Sequence, residues 1–266
     1  MFKISCIQLK SSDNIKDNLD KSINLILKAI KSGSDLIITP EASSIMSLDK
    51  IDLLDKVTLM SKDLYCCEIK KIAKKYKKWI LIGSLITKNF KNKIVNRSIL
   101  INTSGKIVKY YDKIHMYDVT LSSKEKYQES KVFNAGNKIK TYNLPWGKLG
   151  FTICYDLRFP NMFRKLSKAG CLFISVPSAF TLTTGKKHWH SLLRARAIEN
   201  FCYIFAPAQG GTHSNGRKTY GHSLVVSPDG KIMKELKSNK EGYITVNIDP
   251  KIPKKLRQII PSLRVD

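Results

Sequence analysis

Cys154 is the side chain of this sequence best placed for nucleophilic chemistry. It follows a short apolar, β-prone run over residues 149–153 and begins a polar turn. A helix is predicted over 161–169, ending at Gly170. A nucleophile on a turn between a strand and a helix is exposed, and backbone N–H groups near it are free to bind an anion. The alternative is a buried structural thiol, because free cysteine is among the most buried residue types.

Two further ionisable residues follow predicted strands. Glu41 comes after the short apolar strand 35–39 and a proline. Lys113 comes after a predicted hairpin in which 95–101 pairs with 107–111 across an Asn-Thr-Ser-Gly turn. A thiol, a carboxylate and an ammonium group are a nucleophile, a base and a cation for an oxyanion, which are the groups that hydrolysis of an amide carbonyl needs. Taken alone, Glu41 is equally well explained as an ordinary loop residue.

Apolar periodicity predicts the elements that carry these side chains. Strands are predicted at 2–9, 35–39, 79–86, 95–101, 107–111, 138–143, 148–153, 171–176, 203–206, 220–226 and 243–248, and helices at 15–30, 53–77 with an interruption, 161–169 and 187–200. Hairpins are mixed into this alternation, so the order favours a layered sandwich with mixed sheets over a doubly wound parallel fold. Residues 122–136 lack periodicity and are predicted to be a loop that covers the active site.

Length and composition favour a single domain over 1–266, with the basic, proline-punctuated segment 251–266 as a tail that packs on the domain or on a partner subunit. The six cysteines are scattered without disulfide or zinc-knuckle spacing, which favours a reducing compartment. Residues 2–9 are too short and alternating for a signal peptide, and no apolar run reaches membrane length. The expected location is therefore cytoplasmic, with no membrane contact.

The formal net charge of +26 raises the question of nucleic-acid binding. Lysines are spread over nearly every predicted surface, arginines are few, and no recognition helix or aromatic-basic platform is apparent. Biased composition explains the charge, so we expect no specific nucleic-acid partner and only weak attraction at low salt.

The histidines offer a rival chemistry. His188 and His190 are two residues apart and diverge on a helix, and no other spacing is typical of metal ligands, so no metal site is expected. A Cys–His dyad that uses His115, His213 or His222 is an alternative catalytic arrangement.

The motifs around the three strand-end residues resemble the nitrilase superfamily of carbon–nitrogen hydrolases. They are Thr-Pro-Glu at 39–41, Asp-Lys-Ile-His at 112–115 and Cys-Tyr-Asp-Leu-Arg-Phe-Pro at 154–160. Segments 128–130, 177–180, 192–199 and 219–223 are similar to the Nit branch, and within it to Nit1-type amidases that act on deaminated glutathione. The resemblance covers essentially the whole chain. It implies an α+β fold, a four-layer αββα sandwich with two mixed sheets, that assembles at least into a homodimer and needs no cofactor.

The same resemblance implies a Glu–Lys–Cys triad of Glu41, Lys113 and Cys154, with Glu129 as an additional glutamate that orients Lys113 and the substrate nitrogen. Burial is expected to raise the pKa of Glu41, which suits a general base. Lys113 and the backbone N–H of Tyr155 are expected to bind the oxyanion. The implied reaction converts a carboxamide to an acid and ammonia through a cysteine thioester.

The resemblance also implies residues that bind the substrate. Arg158 is expected to pair with a substrate carboxylate, Phe180 to form a pocket wall and Thr184 to offer a hydroxyl contact. A structural ion pair of Arg158 with Asp156 and core packing of Phe180 are the alternatives. Three positions depart from the branch. Lys186 follows Gly185 where proline is usual, His190 stands where glutamate is common, and Thr39 replaces the usual apolar residue before Pro40.

The predicted function is therefore hydrolysis of a small carboxamide, with deaminated glutathione as the first substrate to test. An ω-amidase acting on α-ketoglutaramate, a carbamoylase and a nitrilase proper are enzymatic alternatives. A catalytically silent scaffold of the same fold is the alternative outside enzymology, and intact Glu41, Lys113 and Cys154 argue against it.

Overall fold

Strands and helices alternate along most of the chain in the computed structural model, which describes residues 1–123 and 125–264. The strands are β1 (Phe2–Gln8), β2 (Leu36–Ile38), β3 (Trp79–Lys88), β4 (Ile94–Ile101), β5 (Ile107–Asp112), β6 (Asp118–Thr120), β7 (Lys126–Gln128), β8 (Thr141–Leu144), β9 (Gly147–Phe151), β10 (Cys171–Ser175), β11 (Tyr203–Ala206), β12 (Gly210–Thr212), β13 (Lys218–Tyr220), β14 (Leu224–Val226), β15 (Ile232–Glu235) and β16 (Gly242–Ile248). The helices are α1 (Ile15–Lys31), α2 (Lys50–Lys56), α3 (Leu64–Tyr76), α4 (Pro160–Lys168), α5 (Leu182–Asn200) and α6 (Lys251–Ile259), and short 3-10 turns occupy Glu129–Lys131 and Cys154–Arg158. Within the described ranges, no helix combines the length and the apolar character that crossing a bilayer requires.

The strands form two mixed six-stranded sheets. The first has the order β16-β1-β2-β3-β4-β5 and the second β15-β14-β11-β10-β9-β8, with β6-β7 and β12-β13 as separate two-stranded ribbons. Parallel pairing joins β1 to β2, β2 to β3, β9 to β10 and β10 to β11. The predicted hairpin is present as the antiparallel pair β4–β5. The two mixed sheets agree with the layered sandwich that the predicted order of strands and helices favoured.

The side chains of β2 show how the layers are built. Leu36 and Ile38 belong to the core cluster that includes Phe151 and Phe173 of the second sheet, whereas Ile37 belongs to the cluster under α1 and α3. Successive side chains of a strand point to opposite faces, so the first sheet packs on helices with one face and on the second sheet with the other. Helices α4 and α5 cover the outer face of the second sheet through residues such as Trp189. The order of layers is αββα, as the resemblance implied.

Three local predictions change in the structure. The predicted helix 53–77 is two helices, α2 and α3, each begun by an aspartate cap. The predicted strand 220–226 is divided into β13 and β14, because Gly221 and His222 adopt left-handed backbone angles, with φ of 72° and 56°. The predicted loop 122–136 contains β7 and a 3-10 turn, and its Lys124 lies outside the described residues. These short elements depend on tertiary pairing rather than on local periodicity.

The C-terminal segment forms α6, which lies against the second sheet. Arg257 donates hydrogen bonds from Nη2 to the backbone carbonyls of Cys171, at 2.6 Å, and Asn200, at 3.1 Å. Val265 and Asp266, at the end of the predicted tail, lie outside the described residues. Contact of this tail with a partner subunit stays a prediction.

The cap of α3 yields a test of stability. Asp63 is buried, and its Oδ1 accepts a hydrogen bond from the N–H of Cys66 at 2.8 Å. Burial raises the pKa of Asp63 to about 6, although backbone hydrogen bonds oppose the rise. The folded state therefore takes up a proton at a pH where the unfolded chain does not, and stability is lost as the pH rises through that window.

We expect Asp63→Asn to raise the free energy of unfolding at pH 7 by roughly 1–3 kcal/mol, because asparagine keeps the cap without the buried charge. At pH 4 the gain should shrink towards zero, since the wild-type carboxyl is then neutral. Urea denaturation at both pH values measures this difference. Asp63→Ala is the control and should destabilise at both, and an asparagine gain that is equal at the two pH values would contradict the assignment.

Candidate active site

The three strand-end residues meet where the two sheets adjoin. Glu41 follows β2 and Lys113 follows β5, both in the first sheet, while Cys154 follows β9 in the second sheet. All three side chains are buried and line one cavity together with Glu129. The structure therefore brings together the four residues that the sequence singled out for catalysis.

The loop that carries Glu41 is fixed by close backbone approach. A Cβ on Gly83 would lie 1.8 Å from the carbonyl oxygen of Thr39, so only glycine allows β3 to pass this close. The next residue, Ser84, accepts a hydrogen bond at its hydroxyl from the N–H of Ala42 at 2.7 Å. Ala42 itself has a left-handed φ of 53°. The carboxylate beside it is thereby held on a rigid backbone.

Lys113 lies between two carboxylates. Its Nζ donates to Oε1 of Glu41 at 2.9 Å and to Oε1 and Oε2 of Glu129 at 2.9 and 2.7 Å. Glu41 also accepts hydrogen bonds from Nδ2 of Asn96 at 2.9 Å and from the N–H of Ala179 at 2.8 Å. These donors come from β4 and from the segment after β10, so both sheets contribute to the orientation of one carboxylate.

Opposite charges outweigh burial in setting the ionisation of this cluster. Burial would raise the pKa of Glu41, but the charge and hydrogen bond of Lys113, aided by Arg217, lower it. Burial would lower the pKa of Lys113, but the charges of Glu129 and Glu41 raise it. The expectation of a raised pKa for Glu41 is therefore wrong, because it counted desolvation and omitted the lysine.

Cys154 has the opposite tendency. Burial, together with the charge of Glu41, raises the pKa of its thiol, although Lys113 opposes the rise. At neutral pH Cys154, Glu41 and Lys113 are thus a thiol, a carboxylate and an ammonium group.

The turn at the nucleophile is strained and leaves a donor free. Cys154 has a left-handed φ of 47°, and its N–H donates to the carbonyl of Pro177 at 2.9 Å. Residues in this region of backbone space persist when their surroundings fix them, and they cluster at functional sites. The N–H of Tyr155, next in the chain, donates to no residue in the described part of the chain. It is the backbone donor predicted to bind an oxyanion.

Asp156 connects this turn to the lysine loop. The carboxylate is fully buried and accepts hydrogen bonds from the N–H of Ile153 at 2.8 Å and from the hydroxyl of Tyr111 at 2.7 Å. It also accepts from the N–H of His115 at 3.1 Å and contacts Nδ1 of that ring at 2.6 Å. With both carboxylate oxygens engaged in this way, the alternative ion pair of Asp156 with Arg158 is absent among the described residues.

The cavity beside Cys154 is narrow and carries the predicted substrate residues on its wall. Its volume is about 10 Å³, which is room for about one water molecule. Tyr155, Arg158, Phe180 and Thr184 all line it. The guanidinium of Arg158 lies 5.5 Å from the ring centroid of Phe180, and its Nη2 is 3.2 Å from Nδ1 of His188. Arg158 therefore faces the cavity with no carboxylate partner in the described chain.

The alternative Cys–His dyad finds no support in this geometry. No histidine of the chain lines the cavity. His115 contacts Asp156, His213 lies between the carbonyl of Ser11 and the hydroxyl of Thr219, and His222 contacts Glu235. Glu41 is therefore the base candidate that the geometry favours.

Comparison with known proteins identifies the family. The family model for carbon–nitrogen hydrolases matches residues 3–258. The chain belongs to the carbon–nitrogen hydrolase family. It is 36% identical over 264 residues to the deaminated glutathione amidase of Yersinia enterocolitica, which covers 98% of this chain and 91% of that protein.

Solved structures of related proteins have the same fold as this chain. The crystal structure of NitFhit from Caenorhabditis elegans superposes with a TM-score of 0.93 at 33% identity, over 100% of this chain and 65% of that longer one. Nit3 from Saccharomyces cerevisiae, a member of branch 10 of the nitrilase superfamily, gives a TM-score of 0.87 at 29% identity, over 98% and 94% of the two chains. The predicted family, the sandwich fold and the carbon–nitrogen hydrolase function are confirmed.

Sequence reasoning missed several residues of this carbon–nitrogen hydrolase. Asn96 and Ala179 orient Glu41, and the N–H of Tyr117 donates to Oε2 of Glu129 at 2.7 Å. Arg217 lines the cavity from the turn that connects β12 to β13. The available signal was the polar Asn-Arg-Ser triplet within the otherwise apolar β4, since a buried polar residue there is costly without a partner.

A second group of side chains also escaped prediction. His190, His222 and Glu235 come together at the second sheet, with Oε1 of Glu235 3.0 Å from Nε2 of His190 and 2.6 Å from Nδ1 of His222. The three are distant in sequence, so spacing gave no indication of the cluster. None of them lines the cavity at Cys154.

Asp156→Asn tests the positioning of the nucleophile turn. An asparagine amide nitrogen cannot accept from the donors around it, so we expect the turn to loosen, with kcat reduced about 10- to 100-fold and KM nearly unchanged. Steady-state kinetics and the rate of Cys154 alkylation measure the effect. Asp229→Asn, in a remote turn, is the control, and a purely structural role for Asp156 would lower the melting temperature without changing kcat or the alkylation rate of the folded enzyme.

Proposed function

We propose that this carbon–nitrogen hydrolase cleaves amides through a thioester on Cys154, with Glu41 as general base and acid and Lys113 as the oxyanion cation. The observation that carries the proposal is the position of Glu41, which shares one buried cavity with the thiol while its other contacts hold it still. Glu129 orients Lys113 through both of its carboxylate oxygens.

The first half-reaction forms the thioester. The sulfur of Cys154 attacks the amide carbon while its proton passes to Glu41, and the carbonyl oxygen becomes an oxyanion near Lys113 and the N–H of Tyr155. Because the pKa of the thiol is raised and that of Glu41 is lowered, a free thiolate is disfavoured before attack. Proton transfer is therefore coupled to formation of the carbon–sulfur bond. Protonated Glu41 then gives its proton to the nitrogen as the carbon–nitrogen bond breaks.

The second half-reaction consumes one water. The water oxygen attacks the thioester carbon while Glu41 accepts a proton from that water. Lys113 and the N–H of Tyr155 again stabilise the oxyanion that forms. When this intermediate collapses, the carbon–sulfur bond breaks and the proton on Glu41 returns to the sulfur. The products are the acid and the amine, and the enzyme regains its starting protonation state.

Deaminated glutathione is the substrate we propose first, because the Yersinia relative is named for it. Arg158 and Arg217 support an anionic substrate, since both cations line the cavity and neither has a carboxylate partner in the described part of the chain. In this substrate the nitrogen of the γ-linked amide belongs to cysteinylglycine. The leaving group is then a dipeptide amine, and the ammonia that the sequence predicted applies to primary amides such as α-ketoglutaramate.

The test compares deaminated glutathione with α-ketoglutaramate, because both release α-ketoglutarate and one assay measures both. We expect deaminated glutathione to have the higher kcat/KM. Cys154→Ala should abolish turnover, and Glu41→Gln should lower kcat by about 10²- to 10⁴-fold because the base is lost. Preference for α-ketoglutaramate would keep the mechanism and change the substrate, whereas full activity of Cys154→Ala would refute the mechanism.

Stoichiometric alkylation separates an enzyme from a silent scaffold. One equivalent of iodoacetamide should inactivate the wild type by modifying Cys154, and substrate should slow that modification. Cys202→Ser is the matched control, since Cys202 is a buried thiol outside the cavity and its removal should leave both inactivation and protection intact.

A further inference from the structure

A wide groove adjoins the narrow catalytic cavity. Its volume is about 550 Å³, against about 10 Å³ beside Cys154, and Arg217 lines both. An extended amide substrate cannot lie wholly within the cavity, so part of it must extend beyond. The groove, lined by Tyr127 and Thr183 among others, is a space for that part of the substrate.

Arg217 at this junction is incompletely bonded. Its Nη2 donates to the carbonyl of Ala179 at 2.7 Å, and its guanidinium lies 5.1 Å from the ring centroid of Tyr127. Its Nε is buried without a hydrogen-bond partner, and the guanidinium forms no ion pair within the described residues. A buried N–H left unpaired is costly, and a guanidinium fork matches a carboxylate.

The remaining charges of the groove favour an anion. Lys126 and Lys218 are exposed and line it. Its three cations, Arg217, Lys126 and Lys218, outnumber its two acids, Glu125 and Asp49, so the groove carries a net positive charge. The two acids also make hydrogen bonds of their own, because Glu125 accepts from Tyr127 and Thr183 at 3.2 and 3.1 Å and Asp49 caps α2.

We propose that Arg217 binds the terminal carboxylate of the leaving group, so that the enzyme prefers amides whose nitrogen carries a short peptide with a free C-terminus. Two extended residues span at most about 7 Å, a reach that suits a neighbouring groove better than a remote surface. Arg158 does not line the groove, so it serves the acyl side of the cavity. The inference rests on the proposed amidase function and adds the chemistry of the leaving group.

The experiment varies the side chain at position 217 and the C-terminal carboxylate of the substrate together. Wild type, Arg217→Gln and Arg217→Lys are assayed on deaminated glutathione, on the same compound with a C-terminal carboxamide, and on α-ketoglutaramate. We expect Arg217→Gln to lower kcat/KM for the free carboxylate at least 10-fold more than for the carboxamide, mainly through KM, because the contact is made equally in the ground and transition states. Arg217→Lys should retain part of the preference, since lysine keeps the charge and loses the fork.

Lys218→Gln is the matched control, because Lys218 adjoins Arg217 and lines the groove. Lys218→Gln should lower kcat/KM for the substrate with the free carboxylate less than threefold. A loss equal to that of Arg217→Gln would mean that the positive charge of the groove as a whole attracts the substrate, without a specific contact to Arg217. If Arg217→Gln lowers kcat/KM equally for all three substrates and shifts the acid limb of the pH profile, Arg217 acts on the ionisation of Glu41. That result would overturn the proposal.

Failures of the two proposals are distinguishable. Cleavage of deaminated glutathione without a selective loss in Arg217→Gln overturns the Arg217 contact alone. If the wild type cleaves α-ketoglutaramate and leaves deaminated glutathione intact, the proposed leaving-group preference is wrong and the proposed amidase mechanism is retained. If Cys154→Ala keeps full activity, the mechanism itself falls.

Discussion

The burial of one ammonium group between two carboxylates is the constraint on which this structure depends. Lys113, Glu41 and Glu129 are each less than a tenth exposed, and desolvating three charges costs several kcal/mol per ion unless partners compensate. Loss of Lys113 would leave two buried carboxylates without the cation that they share. The cluster therefore requires that the ends of β2 and β5, both in the first sheet, and the turn after β7 meet within hydrogen-bonding distance.

The same cluster sets the chemistry of the thiol. A base beside a lysine is ionised and ready to accept a proton, but its low pKa gives little driving force for making a free thiolate. The site thus keeps Cys154 neutral until a carbonyl carbon is in place. This order makes attack depend on the position of the substrate.

Much of this site was predictable because its parts are local. Glu41, Lys113 and Cys154 each follow an apolar run, and each such run proved to be a strand. The contacts that orient them were not predictable, since Asn96 and Ala179 reach Glu41 from 55 and 138 residues away. The predicted direction of the pKa shift of Glu41 was wrong because the contact of Glu41 with Lys113 likewise forms only in the folded chain. The β12–β13 ribbon that carries Arg217 is too short to give a periodic signal.

The two arginines of the cavity differ in what holds them, and that difference separates catalysis from selection. Arg158 belongs to the nucleophile turn and stacks on Phe180, so its position is tied to that of Cys154. Arg217 lies on a ribbon that contributes no member of the buried ion cluster. Because the charge of Arg217 also helps to lower the pKa of Glu41, changes in that ribbon that keep a cation at position 217 would alter which leaving groups fit and leave the ion pairs of Lys113 in place. A fold of this kind can retain one reaction centre while its substrate preference varies, because the costly buried charges and the adaptable cation occupy different elements.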